Sequence, residues 1–265
     1  MALRFHKMHG LGNDFVVIDA RTGPVAIDAA RVRALADRHH GIGCDQLILL
    51  EPSAQADARM RIWNADGGEV EACGNASRCV ALLLGGTSAV ETLGGLLQLD
   101  ATGDHASVDM GHPRFDWDAV PLAYPLDTAH LPVAWEELAD PAALSVGNPH
   151  VVFFVNDAAA VPLDRLGSVI EHDPLFPERV NVGVASVTGP RALTLRVWER
   201  GAGLTRACGT GACAAAVAAI RRGLVASPVA VTLPGGTLSI NWAPADGIRM
   251  AGPATHVFSG EADAL

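Results

Sequence analysis

Apolar positions in this chain come in short runs broken by polar turns. Residues 15–19 (Phe15-Val16-Val17-Ile18-Asp19), 47–50 (Leu47-Ile48-Leu49-Leu50) and 58–63 (Ala58-Arg59-Met60-Arg61-Ile62-Trp63) are brief, apolar or alternating, and predict strands. Asp28 predicts the cap of a helix over about 29–39, closed by Gly41. After the turn Asn64-Ala65-Asp66-Gly67-Gly68 a second helix is expected from about 74 to 84, ended by Gly85-Gly86, and then strands up to Met110. The same order then returns. It runs through a strand at 151–155, a short helix at about 165–172 with Asp164 as its cap, and a strand at 193–198. The turn Gly201-Ala202-Gly203, an alanine-rich helix from about 209 to 222 and strands to Met250 complete it. Residues around 114–138 join the two halves in this reading.

The recurrence is a repeat at one fixed spacing. Arg61, Trp63, Cys73 and Gly74 recur as Arg196, Trp198, Cys208 and Gly209, each 135 positions further along. Gly12-Asn13 recurs as Gly147-Asn148, Gln46 falls on Asn181, and Asn64 falls on Glu199. Beyond the cysteine segment Met110 and Pro113 match Met250 and Pro253 at a spacing of 140, so the second copy carries five extra residues after Cys208. Self-similarity at a fixed offset marks a duplicated domain. The expected domains are 1–117, with a tail at 254–265 packing on it, and 118–253.

Composition narrows the class. With 265 residues, 49% hydrophobic and 18% charged, the chain can bury a sizeable core. The formal net charge is −10 and the basic residues do not cluster, which argues against nucleic acid as a partner. No apolar run is long enough for a bilayer helix, and the first nine residues lack the apolar core of a secretion signal. A cytoplasmic protein with no membrane partner is expected. The cysteines, Cys44, Cys73, Cys79, Cys208 and Cys213, are odd in number and lack CxxC spacing or a companion histidine pair. Reduced thiols are expected, with neither a disulfide framework nor a metal site.

Cys73 and Cys208 stand apart because they are equivalent. Each precedes a helix, where unpaired backbone N–H groups and partial positive charge lower a thiol's pKa and can hold a carboxylate. Gly74, Asn75, Gly209 and Thr210 would offer those amides. Two such helix starts meeting across a pseudo-two-fold axis would place one thiol on each face of a substrate α-carbon. Cys44, Cys79 and Cys213 lack equivalents and read as core residues. Asn13, Asn148, Gln46 and Asn181 read as amides lining a cleft. The copies differ at Asn64 against Glu199, beside Arg200, and at Phe15 against His150, which is placed to tune a thiol. Gly41-Ile42-Gly43 and Gly209-Thr210-Gly211 complete no nucleotide-binding motif.

The segments Gly10-Leu11-Gly12-Asn13-Asp14-Phe15, Gly41-Ile42-Gly43-Cys44-Asp45-Gln46 and Asn64-Ala65-Asp66-Gly67-Gly68 resemble the diaminopimelate epimerases. So do Ala72-Cys73-Gly74-Asn75, Gly147-Asn148-Pro149-His150, Arg179-Val180-Asn181-Val182-Gly183, Glu199-Arg200-Gly201-Ala202-Gly203 and Ala207-Cys208-Gly209-Thr210-Gly211. The resemblance runs from about residue 5 to 260. It implies an α/β (α+β) fold of two homologous domains, each a β-barrel-like mixed sheet around a central helix, related by pseudo-two-fold symmetry. It implies a cofactor-independent isomerase that interconverts LL- and meso-diaminopimelate for lysine and peptidoglycan synthesis. The family's two catalytic cysteines fall on Cys73 and Cys208. Its substrate contacts fall on Asn13, Gln46, Asn64, Gly74, Asn75, Asn148, Asn181, Glu199, Arg200, Gly209 and Thr210, and its cysteine-tuning groups on His150 and Glu199. A homodimer is an expectation from the resemblance alone. Leu204 stands where many members carry Glu, and Ala76-Ser77 where Gly-Ala is more usual. The rival readings are a proline-type racemase of the same architecture and, from another class, a non-catalytic amino-acid binder or thiol redox sensor. Deuterium exchange at a substrate α-carbon separates them.

Overall fold

A computed structural model describes residues 3–71 and 73–263, so Ala72 of the first cysteine segment and the two residues at each end of the chain lie outside it. The chain divides into two compact units. One holds the residues up to Asp109 and those from Ala251 onward; the other is Met110–Met250.

The first unit runs β1 (Leu3–Gly10), β2 (Asn13–Asp19), α1 (Ala29–Ala36), β3 (Gln46–Glu51), β4 (Ala58–Asn64), β5 (Glu69–Val70), α2 (Gly74–Leu84), β6 (Gly86–Thr92), β7 (Gly95–Thr102) and β8 (His105–Asp109). β2 and β3 are parallel, a pairing that requires a crossover, and α1 supplies it. β4 and β6 are also parallel, with α2 as the crossover. The other neighbours, β1–β2, β3–β4, β6–β7 and β7–β8, are antiparallel. α2 is buried through 74–81 and touches β1, β2, β6, β7 and β8, so the strands curl around it. Val16, Ile18, Val32, Leu35, Leu47 and Leu49 form the core beneath α1.

The second unit runs β9 (Ala134–Trp135), β10 (Leu138–Ala139), β11 (Ala142–Ser145), β12 (Pro149–Phe154), α3 (Leu163–Glu171), β13 (Asn181–Gly189), β14 (Ala192–Glu199), β15 (Gly203–Thr205), α4 (Gly209–Arg221), β16 (Val229–Leu233) and β17 (Gly236–Asn241). β18 (Arg249–Pro253) follows. The pairing repeats that of the first unit: β12 with β13 parallel, β13 with β14 antiparallel, β14 with β16 parallel. Even the register repeats. Phe15 lies opposite Gln46, and its counterpart His150 lies opposite Asn181. The extra residues of the second copy fall between α4, which ends at Arg221, and β16, which starts at Val229; α2 ends at Leu84 and β6 starts at Gly86. The last strand, β19 (Thr255–Ala262), pairs antiparallel with β1.

α4 shows why such a helix survives inside a barrel. Residues 211–219 are buried, and Ala, Cys and Gly let β11, β12, β13, β14, β16 and β17 close around it. Each fully buried Val or Leu contributes about 1.5–3 kcal/mol, and Val217, Leu195 and Leu238 are all at 0% exposure.

Three expectations are corrected. α1 ends at Ala36, because Asp37 turns extended and its Oδ1 takes the N–H groups of His39 and His40 at 2.7 and 2.8 Å. α3 starts earlier than expected: its N-cap is Pro162, with no side-chain cap bond, and Asp164 lies within the first turn. The stretch 114–138 is no bare connector. Val120, Leu122, Leu131 and Leu138 join the core of the second unit, and Arg114 pairs with Ser145.

Candidate active site

Both units place an asparagine just after a glycine that turns the chain at positive φ, 85° at Gly12 and 96° at Gly147. Asn13 opens β2; Asn148 stands one residue before β12. In each unit that asparagine bonds to the second residue of the long helix. Asn75 Nδ2 donates to Asn13 Oδ1 at 3.1 Å, and Asn148 Nδ2 donates to Thr210 Oγ1 at 3.3 Å. Position is therefore repeated while polarity is inverted: Asn13 offers its oxygen, Asn148 its nitrogen.

Cys73 and Cys208 are the N-caps of α2 and α4, both in extended backbone. Each Sγ accepts a backbone N–H of its own first turn, from Ala76 at 3.5 Å and from Gly211 at 3.4 Å. At 211 a Cβ would meet Val197 Cγ2 at 3.0 Å and Cys208 Sγ at 3.2 Å, crowding that glycine avoids, whereas the first unit makes the same contact with an alanine, Ala76.

In the first unit the asparagine belongs to a chain of charges. Arg78, fully buried on α2, donates from Nη2 to Asn75 Oδ1 at 2.9 Å. Asn13 Nδ2 donates to Asp45 Oδ2 at 2.9 Å, and Arg38 bridges Asp45 and Asp14 at 2.8 and 2.6 Å. Lys7 also pairs with Asp14. Burial opposes ionisation of Asp14, but hydrogen bonds from Arg38 and Lys7 prevail and hold its carboxyl far below the usual range. Gln46 and Asn64 face one another across β3 and β4 and share a bond of 2.9 Å, Gln46 Nε2 to Asn64 Oδ1. Gln46 Oε1 is buried with no hydrogen-bond partner.

The second unit is built differently. Glu199 ends β14, and its carboxylate accepts Thr205 Oγ1 at 2.5 Å and the Cys208 thiol. Burial raises the Glu199 pKa against those two bonds. Burial likewise pushes the Cys208 thiol well above its ordinary value, and the Glu199 carboxylate beside it pushes the same way. The expectation that a helix start would lower this thiol's pKa is overturned: desolvation and a neighbouring anion outweigh the bonds from Thr210 and the Gly211 amide. Asn181 donates to Pro149 O at 2.9 Å and accepts the Arg200 N–H at 2.9 Å. The Arg200 side chain is exposed, with Nη1 on Glu178 O at 3.1 Å.

His150 is buried on β12, and its Nε2–H donates to Asn148 Oδ1 at 2.9 Å. Burial, with the Arg200 charge nearby, lowers its pKa to about 3, so the imidazole is neutral. The sign of its pH effect follows. Below the unfolded value of about 6.5 the unfolded chain takes up a proton that the folded chain refuses, so this group costs stability as pH falls toward 3. Between pH 7 and 5 the loss is about 2 kcal/mol. Urea unfolding at both pH values is expected to show that loss in the wild type and to lack it in His150→Gln; equal losses in the two proteins would contradict it.

Every expected site residue thus lies in one of two sets. The first unit groups Cys73, Gly74, Asn75 and Asn13, with Gln46 and Asn64 paired on the neighbouring strands. The second groups Cys208, Gly209, Thr210, Asn148, His150, Glu199, Asn181 and Arg200. Sequence reasoning missed Arg78 and Thr205, which bond to Asn75 and Glu199, and Glu171, which holds Trp198 and Gly201 on either side of Glu199 and Arg200. Their counterparts are Cys213, Val70 and Ala36, so the repeat carried no signal for them. Arg78 had one other signal, a lone cation within the apolar helix 74–84. Cys44 and Cys79 are core residues, and burial pushes their thiols up to about 11 and about 12. Among the described residues no cluster of His, Cys, Asp and Glu could hold a metal ion, and no helix is long and apolar enough to cross a membrane.

The family model described as diaminopimelate epimerase matches residues 5–115 and 142–257. A diaminopimelate epimerase of Rhizorhabdus wittichii is 69% identical over 264 residues, 99% of this chain and 96% of that protein. Among solved structures, a phenazine biosynthesis protein of the PhzF family from Bacillus anthracis has a TM-score of 0.69 at 16% identity, covering 98% of this chain and 99% of that one. A hydroxyproline epimerase from Agrobacterium vitis has a TM-score of 0.68 at 16% identity, covering 98% and 90%. At such identities these two likenesses speak for the fold alone.

Proposed function

The chain belongs to the diaminopimelate epimerase family and is an isomerase, and on that footing we propose that it interconverts LL- and meso-diaminopimelate by a two-base proton transfer. One cysteine, as thiolate, takes the α-proton and becomes a thiol. The Cα–H electron pair moves toward the substrate carboxylate, and the other cysteine's thiol gives its proton to the opposite face. Atoms balance within the two thiols and the substrate, so no cofactor enters.

The observation that carries the proposal is the equivalent placement of Cys73 and Cys208 as N-caps of the two buried helices. First-turn amides of a helix favour a carboxylate and the charge that develops on it during proton removal. The roles need not start equal. Cys208 is hydrogen-bonded to Glu199 and held protonated, so it enters as the acid; Cys73 then starts as the base, and the reverse reaction exchanges the roles. Asn64, Asn181, Glu199 and Arg200 take the distal end of the substrate in this reading.

The test is α-deuterium wash-in from heavy water, with diaminopimelate and with proline. Exchange accompanied by LL–meso interconversion, with none for proline, is the expected result. No exchange with diaminopimelate overturns the proposal, and exchange with proline alone replaces it by the racemase reading.

A further inference from the structure

Helix α3 carries two residues that its own stability disfavours. Gly167 lies in its interior, where glycine costs about 0.5–1 kcal/mol against alanine. Glu171 is its last residue, where an acid meets the negative end of the helix dipole. They stand four apart, hence on one face, and both meet the same segment. A Cβ at Gly167 would come within 2.4 Å of Trp198 Cγ, so glycine lets the indole lie against the helix. The Glu171 carboxylate, on a residue 2% exposed, accepts Trp198 Nε1–H at 2.7 Å and the Gly201 N–H at 2.9 Å. Arg179 Nη1 stands 3.8 Å from the same carboxylate.

Trp198 and Gly201 bracket Glu199 and Arg200. The turn between β14 and β15 closes with the Ala202 N–H on Glu199 O at 3.0 Å, and Gly201 is at φ 75°. Glycine at that third position is the mark of a type II turn, whose central amide points away from the closing bond. Glu171 receives that amide. The first unit solves the same problem with the opposite charge: Arg33 of α1 donates from Nη1 to Asp66 O at 3.1 Å, on the turn after Asn64. Each crossover helix therefore holds the tip of its hairpin, by a cation in one copy and an anion in the other.

We infer that Glu171 is a positioning residue, holding through Trp198 and Gly201 the turn that presents Glu199 and Arg200. The inference rests on the reading of those two residues as contacts for the distal end of the substrate. Glu171→Gln keeps the volume but cannot accept from both donors, since one amide position carries hydrogens. Measured well below its unfolding midpoint, this variant is expected to raise KM for diaminopimelate at least fivefold and to lower kcat by a smaller factor. A merely structural loss would leave KM unchanged in the folded fraction. The rate of iodoacetamide alkylation at Cys208, followed by peptide mass spectrometry, is expected to rise as Glu199 is released from its place beside the thiol. Should Glu171→Gln fail to fold, Trp198→Phe removes the indole N–H together with the five-membered ring that carries it, leaves Glu171 in place, and is judged by the same two readouts. KM and alkylation rate both within twofold of the wild type overturn the inference. A wild type that exchanges no α-hydrogen of diaminopimelate refutes the reaction reading instead, and the alkylation rate then judges Glu171 by itself.

Discussion

Cys73→Ala and Cys208→Ala are each expected to lower LL–meso interconversion by about 10²–10⁴-fold, the range that a positioned acid or base supplies. The helices should survive. A cysteine N-cap contributes one weak S···H–N contact, 3.5 Å at Cys73 and 3.4 Å at Cys208, and losing a cap costs about 0.5–2 kcal/mol. Exchange and inversion can be separated in these variants. A lone remaining thiol can take a proton from its own face and return a solvent deuteron to that face, but it cannot serve the other. Residual wash-in is therefore expected to proceed with retention, read by comparing deuterium uptake with chiral chromatography of the product. Cys44→Ala is the control, since that thiol is buried and held at about 11; its activity should stay within a factor of about two. Full interconversion in either Cys73→Ala or Cys208→Ala would end the two-base mechanism.

The same contrast between shared and unshared features governs what could be read from the sequence. Strands β2, β3 and β4 and helices α2 and α4 were legible because local pattern and cap chemistry agree there: apolar runs bounded by turns, and a glycine at φ 75° after Leu84. The end of α1 was not, because Asp37 competes for the backbone with its own carboxylate. Residues 114–138 read as a connector because their apolar positions, Val120, Leu122, Leu131 and Leu138, are too scattered to show a period, yet they pack into one core. For the site, the offset of 135 picked out every residue that has an equivalent. It said nothing of Glu171, Thr205 or Arg78, whose equivalents are apolar or uncharged. Nor did it foresee the state of Cys208. A helix start is a local feature, whereas burial and the Glu199 carboxylate are brought to that thiol by tertiary packing. Both were needed to see that the two cysteines occupy equivalent places with unequal surroundings.

Arg200→Met is expected to raise KM for diaminopimelate by about 10–100-fold, the loss of one charge-assisted contact worth about 1.5–3 kcal/mol, with kcat changed by only a few-fold. The reasoning starts from the two hairpin tips. At equivalent positions the first unit carries the neutral pair Asn64-Ala65 and the second the charged pair Glu199-Arg200. Glu199 is committed to Thr205 and Cys208, whereas Arg200 uses one side-chain nitrogen on Glu178 O and keeps the rest of its fork for a ligand. A substrate with a carboxylate at each end needs one cation away from the helix N-termini, and the exposed guanidinium of Arg200 offers a planar pair of donors to it. Arg200→Lys restores charge without the fork, so its KM should fall between the two. Lysine, which has diaminopimelate's chain but no distal carboxylate, should be exchanged poorly by the wild type and no more poorly by Arg200→Met. Steady-state rates with both compounds decide it: a KM for diaminopimelate that does not move in Arg200→Met removes this residue from the substrate's distal end, and an equal loss with both compounds would place its effect on the reacting end instead.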